Sequence, residues 1–160
     1  MDTISLSVLL KWIHLMATVA WIGGMFTNLF INIPAIVKTL DGPVAGNLMG
    51  AIMKRFRVLV YVSMAVFLIT GITMGSLHLN AGEVFSSKNQ MVAILILKVP
   101  LYIIMVVLAI VAFEFVAPRV ARLAAEGPSP KLQRAQRTQK VLAMAGFLLG
   151  VLILALSAAL

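Results

Sequence analysis

The 160-residue chain contains no cysteine, only five acidic residues and only two histidines. Without cysteine there is no disulfide framework, no thiolate metal site and no cysteine nucleophile, so a metal ligand must come from histidine, methionine or carboxylate. Hydrolytic signatures are missing too: no HExxH, no paired carboxylates, no GxSxG and no phosphate-cradling glycine loop occurs. If the chain is an enzyme, redox chemistry carried by a cofactor is the expectation. No repeat with a period of about 20–50 residues is visible, and no low-complexity tract.

What is abundant is apolar: 62% of residues are hydrophobic and 11% charged, with a mean hydropathy of +1.08. Four apolar runs, at about 4–33, 56–79, 91–117 and 139–160, each reach the roughly 20 residues needed to cross about 30 Å of hydrocarbon. They predict an all-α, integral membrane four-helix bundle forming a single domain over 1–160. The first run is too long, and begins with Asp2 in place of a basic stretch, to read as a signal peptide.

The formal net charge is +8, and its distribution says where it belongs. Lys38, Lys54, Arg55 and Arg57 follow the first run; Arg119, Arg122, Lys131, Arg134, Arg137 and Lys140 follow the third; the connection between runs two and three has only Lys88 against Glu83. Positive residues accumulate on the cytoplasmic side, which places both basic loops there and both termini outside (periplasmic), in a bacterial-type inner membrane. Anionic lipid headgroups are then the expected partner of the charge, and nucleic acid is not. Pro34 and the "DGP" at Asp41–Pro43 are expected to end the first helix, and "GPSP" at Gly127–Pro130 to break the third from the fourth. "KLQRAQRTQK", Lys131–Lys140, reads as an amphipathic lead-in to the last span.

Polar residues inside the spans are few and patterned. At alternating four- and three-residue spacing, Ser7, Lys11, His14, Thr18, Trp21, Met25, Asn28 and Asn32 share one face of the first span. Lipid offers no hydrogen-bond partner, so this stripe should turn inward and carry His14 with it. Span two offers Arg57, Met64, Gly71 and His78 at heptad spacing, and the Gly71–Gly75 pair could admit a close helix or a flat cofactor. Span three carries Lys98 two residues before Pro100, whose missing N–H frees a carbonyl nearby. Glu114 sits on almost the opposite face and reads as the structural partner of a cation such as Arg57 or Arg119.

Counting about 1.5 Å per residue from the outer ends puts His14 about 12 Å deep and Lys98 about 10 Å deep, with His78 one or two turns shallower. An imidazole can bind haem iron and a lysine can meet a propionate, so the pattern suggests haem b, with His14 and His78 as metal ligands and Lys98 as second ligand or propionate partner. Copper is the alternative cofactor, given ten methionines and two histidines, although methionine is also the usual filler of apolar cores.

Three stretches, "WIHLMATVAWIGGMF", "MKRFRVLVYVSMAVFLITG" and "LILKVPLYIIMVVL", resemble the small four-span membrane proteins that include copper-resistance D domains and HemJ-type protoporphyrinogen oxidases. The resemblance covers most of the chain in the same helix order, and His14, Trp21, Arg55 and Lys98 fall on its pattern. Its HemJ branch implies a haem-binding protein acting on a tetrapyrrole, with His14 as haem ligand and Lys98 as its partner. Its copper-resistance branch implies copper handling at the inner membrane. Further histidines of the HemJ pattern have no counterpart in "LFINIPAIV" or "AIVAFEFVAP", so the expectation is a haem-binding relative passing electrons between a quinone and another protein. A homodimer, or a structural subunit of a larger membrane redox complex, is the remaining class, to which the glycines at 146 and 150 could contribute contacts.

Overall fold

A chain crossing hydrocarbon must satisfy its backbone N–H and C=O groups internally, and among the described residues this protein does so with helices alone. The structure, a computed structural model, describes residues 3–78 and 90–158, with side chains for 5–76 and 96–157. The helices are α1 (Thr3–Thr27), α2 (Ile33–Thr39), α3 (Gly42–His78), α4 (Gln90–Ile110), α5 (Ala117–Ala125) and α6 (Pro130–Ala158). A single wide π turn joins α1 to α2 at Asn28–Asn32, and another joins α4 to α5 at Val111–Val116. Four rods result that are long and apolar enough to cross a membrane: Ser5–Thr39, Gly42–Ser76, Ile96–Ala125 and Pro130–Ser157. The protein is a multi-pass membrane helix bundle. α1 packs along α3, α4 along α6, and α1 also meets α6.

The rods are longer than the apolar runs that announce them. Pro34 does not end the first helix, which continues to Thr39 and stops only where Leu40 turns extended (φ −122°, ψ 144°). A proline clashes with the carbonyl four residues back and cannot donate to it. Here the π turn widens the helix just before Pro34, with the Ile33 N–H donating five residues back to the Asn28 carbonyl. Pro118 is handled in the same way, the Ala117 N–H donating to Ala112. α3 begins at Gly42, well before the apolar run, so Lys54, Arg55 and Arg57 project from a helix instead of a loop. At 37 residues α3 is about 55 Å long, well over the hydrocarbon thickness. The expected break at "GPSP" is present: Gly127 takes φ +100°, a conformation open to glycine, and the Ser129 hydroxyl accepts the Leu132 N–H at 3.2 Å to cap α6.

Large apolar side chains such as Val8, Trp12, Val19, Ile72, Ile96 and Val151 point outward, as lipid-facing surfaces require. The interior is held by Trp21, Val60, Met64 and Met105, with Met25, Phe56, Tyr61, Phe67 and Tyr102 packed against them. Small residues bring helices together at Gly24, Gly146 and Gly150, where an added Cβ would meet Phe56, Met25 and Ile22 respectively. Gly146 and Gly150 therefore serve contacts within the chain. At Gly24 the added carbon would lie 2.6 Å from Phe56 Cε2, and that ring is itself packed edge-on against Phe113. Gly24→Ala is expected to lower stability by about 1–3 kcal/mol through overpacking. Gly23→Ala, in open space, should be neutral or stabilising because alanine is the better helix former. Thermal unfolding of the two variants in detergent checks the contrast, and equal transitions would sink it.

Candidate functional site

His14, on α1, meets α3 through Thr70: its Nδ1 lies 2.7 Å from Thr70 Oγ1. The Thr70 hydroxyl donates its one hydrogen to the Val66 carbonyl at 2.6 Å, as threonines inside helices commonly do. That leaves the hydroxyl as an acceptor, so Nδ1 of His14 carries the proton and donates. The tautomer is thus assigned from the hydrogen-bond network, and among the described residues Nε2 has no hydrogen-bond partner. Phe67 lies against the imidazole (centroids 4.8 Å apart, tilted 54°) and against Trp21 (5.8 Å, near-parallel), with Tyr102 edge-on at 6.3 Å. The Tyr102 hydroxyl donates to the Met64 carbonyl at 2.9 Å. One wall of the histidine site is therefore an aromatic stack anchored in the core.

Lys98 is half-buried on α4. α4 runs straight through Pro100, and among the described residues Lys98 has no hydrogen bond to a carbonyl that the proline frees. Trp21 is 2% exposed and belongs to the core, touching the site only through Phe67.

Three other expected residues stand apart. Arg55 is exposed and lies 15 residues from Thr70 on the same helix, about 22 Å toward the opposite end. Gly71 is exposed, and at both Gly71 and Gly75 the space around an added Cβ is open among the described residues, so no described helix makes the close contact there that was one of the two expectations for the pair. The inward face of α3 runs through Val60, Ser63, Met64, Phe67 and Thr70; by angle Gly71 lies close to Val60 on that face, yet it is exposed. The side chain of His78, the last residue of α3, lies outside the described residues, as does that of Met91.

A second polar cluster sits at the basic end. Arg57 Nη2 reaches both carboxylate oxygens of Glu114, at 2.7 and 2.8 Å, and the Tyr61 hydroxyl donates to the same carboxylate. The Arg57 guanidinium also lies 5.7 Å from the Tyr61 ring centroid, a cation–π distance. Glu114 thus pairs with Arg57, one of the two cations anticipated for it. On α1 and the π turn below it, buried Asn28 accepts from Asn32 Nδ2 at 2.9 Å, which turns the lower end of the polar stripe inward as its spacing required. Thr70, Tyr61 and Tyr102 carry no obvious mark in the sequence. The available signal was the three-and-four spacing of Ser63, Phe67 and Thr70 from Val60.

One family model, a domain of unknown function termed DUF4149, matches residues 16–129. The chain belongs to the DUF4149 family. Curated proteins and solved structures yield no match. In this DUF4149 chain the matched segment contains Thr70, Lys98, the Arg57–Tyr61–Glu114 cluster and both π turns, while His14 precedes it by two residues and α6 follows it.

Proposed function

We propose that this DUF4149 chain is a haem b-binding membrane protein with a redox role, its haem held in the outer half of the bundle by Nε2 of His14. The observation that carries the reading is the His14–Thr70 hydrogen bond. An imidazole that donates through Nδ1 is fixed in orientation and offers Nε2 as ligand, the arrangement typical of metal-bound histidines. Lys98, which residue counting puts at a similar depth, is a fitting partner for a propionate. Phe67 and Trp21 close one side of the site with apolar surface that keeps water from the imidazole. When bound, haem would supply a one-electron couple. A quinone or a tetrapyrrole arriving through the lipid is the class of electron partner this placement suits. The positive-inside rule, applied to the basic rod ends, supports reading those ends as cytoplasmic and both termini as outside, in the inner membrane of a bacterial-type cell. Copper gains less from the geometry: Met64 and Met105 are buried in the core and Met25 packs on Gly146, all serving as filler.

Visible spectra of the detergent-purified protein, oxidised and dithionite-reduced, test the reading. A Soret band with reduced b-type bands is expected in the wild type and should be lost in His14→Ala. Thr70→Val keeps the ligand but releases its orientation, and should weaken haem retention by about 10–100-fold. Well-folded wild-type protein without haem, or unchanged spectra in His14→Ala, would overturn the proposal. Copper in the metal analysis would then favour the transport class instead.

A further inference from the structure

The turn at Glu126–Ser129 folds α6 back against α5, with Leu123 on α5 and Ala135 on α6 both buried. Between them opens a groove of about 350 Å³ lined by Val116, Arg119, Lys131, Arg134, Ala135 and Thr138. Its walls carry three cations and no acid, and its floor is apolar. A second groove, of about 420 Å³, shares Arg119 and adds Glu114, Phe115, Pro118 and Arg122; its one acid is held by Arg57. Among the described residues the one ion pair is Arg57–Glu114, so the cations of the first groove have no carboxylate partner there.

Depth decides what can fill it. Phe115 (68% exposed) and Val141 (59% exposed) are lipid-facing apolar residues beside the groove. Arg119 lies one turn beyond the first, and Arg134 about two turns before the second. The cations therefore stand where the hydrocarbon ends and headgroup phosphates begin. From this juxtaposition we infer that the α5–α6 groove is a binding site for an anionic phospholipid of the adjacent leaflet, its phosphodiester held by Arg119, Lys131 and Arg134. Guanidinium forks match phosphate oxygens in pairs, and basic pockets of this kind between membrane helices take anionic headgroups. The apolar floor, continuous with the lipid-facing surface, receives the glycerol end of the acyl chains, which a free phosphate lacks. A zwitterionic lipid would bring its own ammonium into a groove with no acid to meet it. The site differs from general attraction of basic loops to the membrane because its cations converge on one cavity.

Native mass spectrometry of the full chain, released from mixed micelles of equal phosphatidylglycerol and phosphatidylcholine, reads the preference directly. The wild type is expected to retain phosphatidylglycerol over phosphatidylcholine, and Arg119→Gln/Arg134→Gln to lose on the order of tenfold of that preference. Lys131→Gln alone should lose a smaller part. Lys38→Gln/Lys54→Gln removes as much charge from exposed positions outside the groove and should leave the preference intact. An equal loss in that control would show bulk electrostatics and overturn the site, as would an unchanged preference in the arginine variants. Displacement of the lipid by millimolar inorganic phosphate would identify a soluble anion as the occupant and overturn the lipid assignment. The altered side chains are all exposed, so the variants should fold, and circular dichroism verifies it. Should the double variant unfold, Lys131→Gln carries the same test by itself.

Discussion

Glu114→Ala is expected to destabilise the folded bundle by about 2–3 kcal/mol, because it strands the Arg57 guanidinium and the Tyr61 hydroxyl without their acceptor at the basic end of an apolar rod. The side chains of Arg57 and Glu114 are 43% and 35% exposed. Water and headgroups at that end therefore screen part of the charge, and the figure stays below the 3–5 kcal/mol of a fully enclosed pair. Arg57→Ala leaves the carboxylate with Tyr61 alone and should be damaging too. Removing both charges removes the orphan, so the double variant should be clearly more stable than the sum of the two single losses predicts. Unfolding in graded denaturing detergent measures all three. Strict additivity would show that the pair contributes nothing as a pair.

Trp21→Ala should be comparably severe, at about 2–3 kcal/mol, whereas Trp12→Ala should be nearly silent. Trp21 is 2% exposed and packed against Phe67 in the core; Trp12 is 59% exposed and faces outward. In water the loss of a buried tryptophan reaches about 3–5 kcal/mol, part of it transfer energy. In a bilayer the lipid is as apolar as the core, so that part largely vanishes and the unfilled cavity remains. The same residue type nine positions apart thus separates packing from hydrophobicity. Equal shifts for the two variants would mean that the Trp21 cavity is filled by lipid or by collapse.

The four rods were legible because hydropathy and length decide them, and the Glu114–Arg57 pair was legible because an acid in an apolar span must find a cation. His14 turned inward as its stripe required. The inward face of α3 was legible in part: Met64 of the heptad is buried together with Phe67 and Thr70, whereas Gly71, near Val60 by angle, is exposed because burial also depends on which helices reach that end. Thr70 gave no signal of its own, since its hydroxyl already satisfies the local Val66 carbonyl and its acceptance from His14 is a tertiary fact. Arg55 came with a resemblance in sequence, which does not convey that it stands about 22 Å along α3 from Thr70. The extension of the first helix past Pro34 depended on a backbone adjustment that proline alone does not announce.

Each of the two wide turns holds one residue more than a regular α turn, which amounts to an inserted residue and a rotation of about 100° in everything downstream. The first and third rods are therefore each two angular frames joined end to end. A wheel projected from Thr3 to Thr39, or from Gln90 to Ala125, assigns wrong faces beyond the junction unless its count restarts at Ile33 and at Ala117. When another member of the family is aligned to this one, a one-residue gap at 28–32 or 111–116 would preserve every face on both sides, whereas a gap of equal size between His14 and Trp21 would turn one of them out of the bundle.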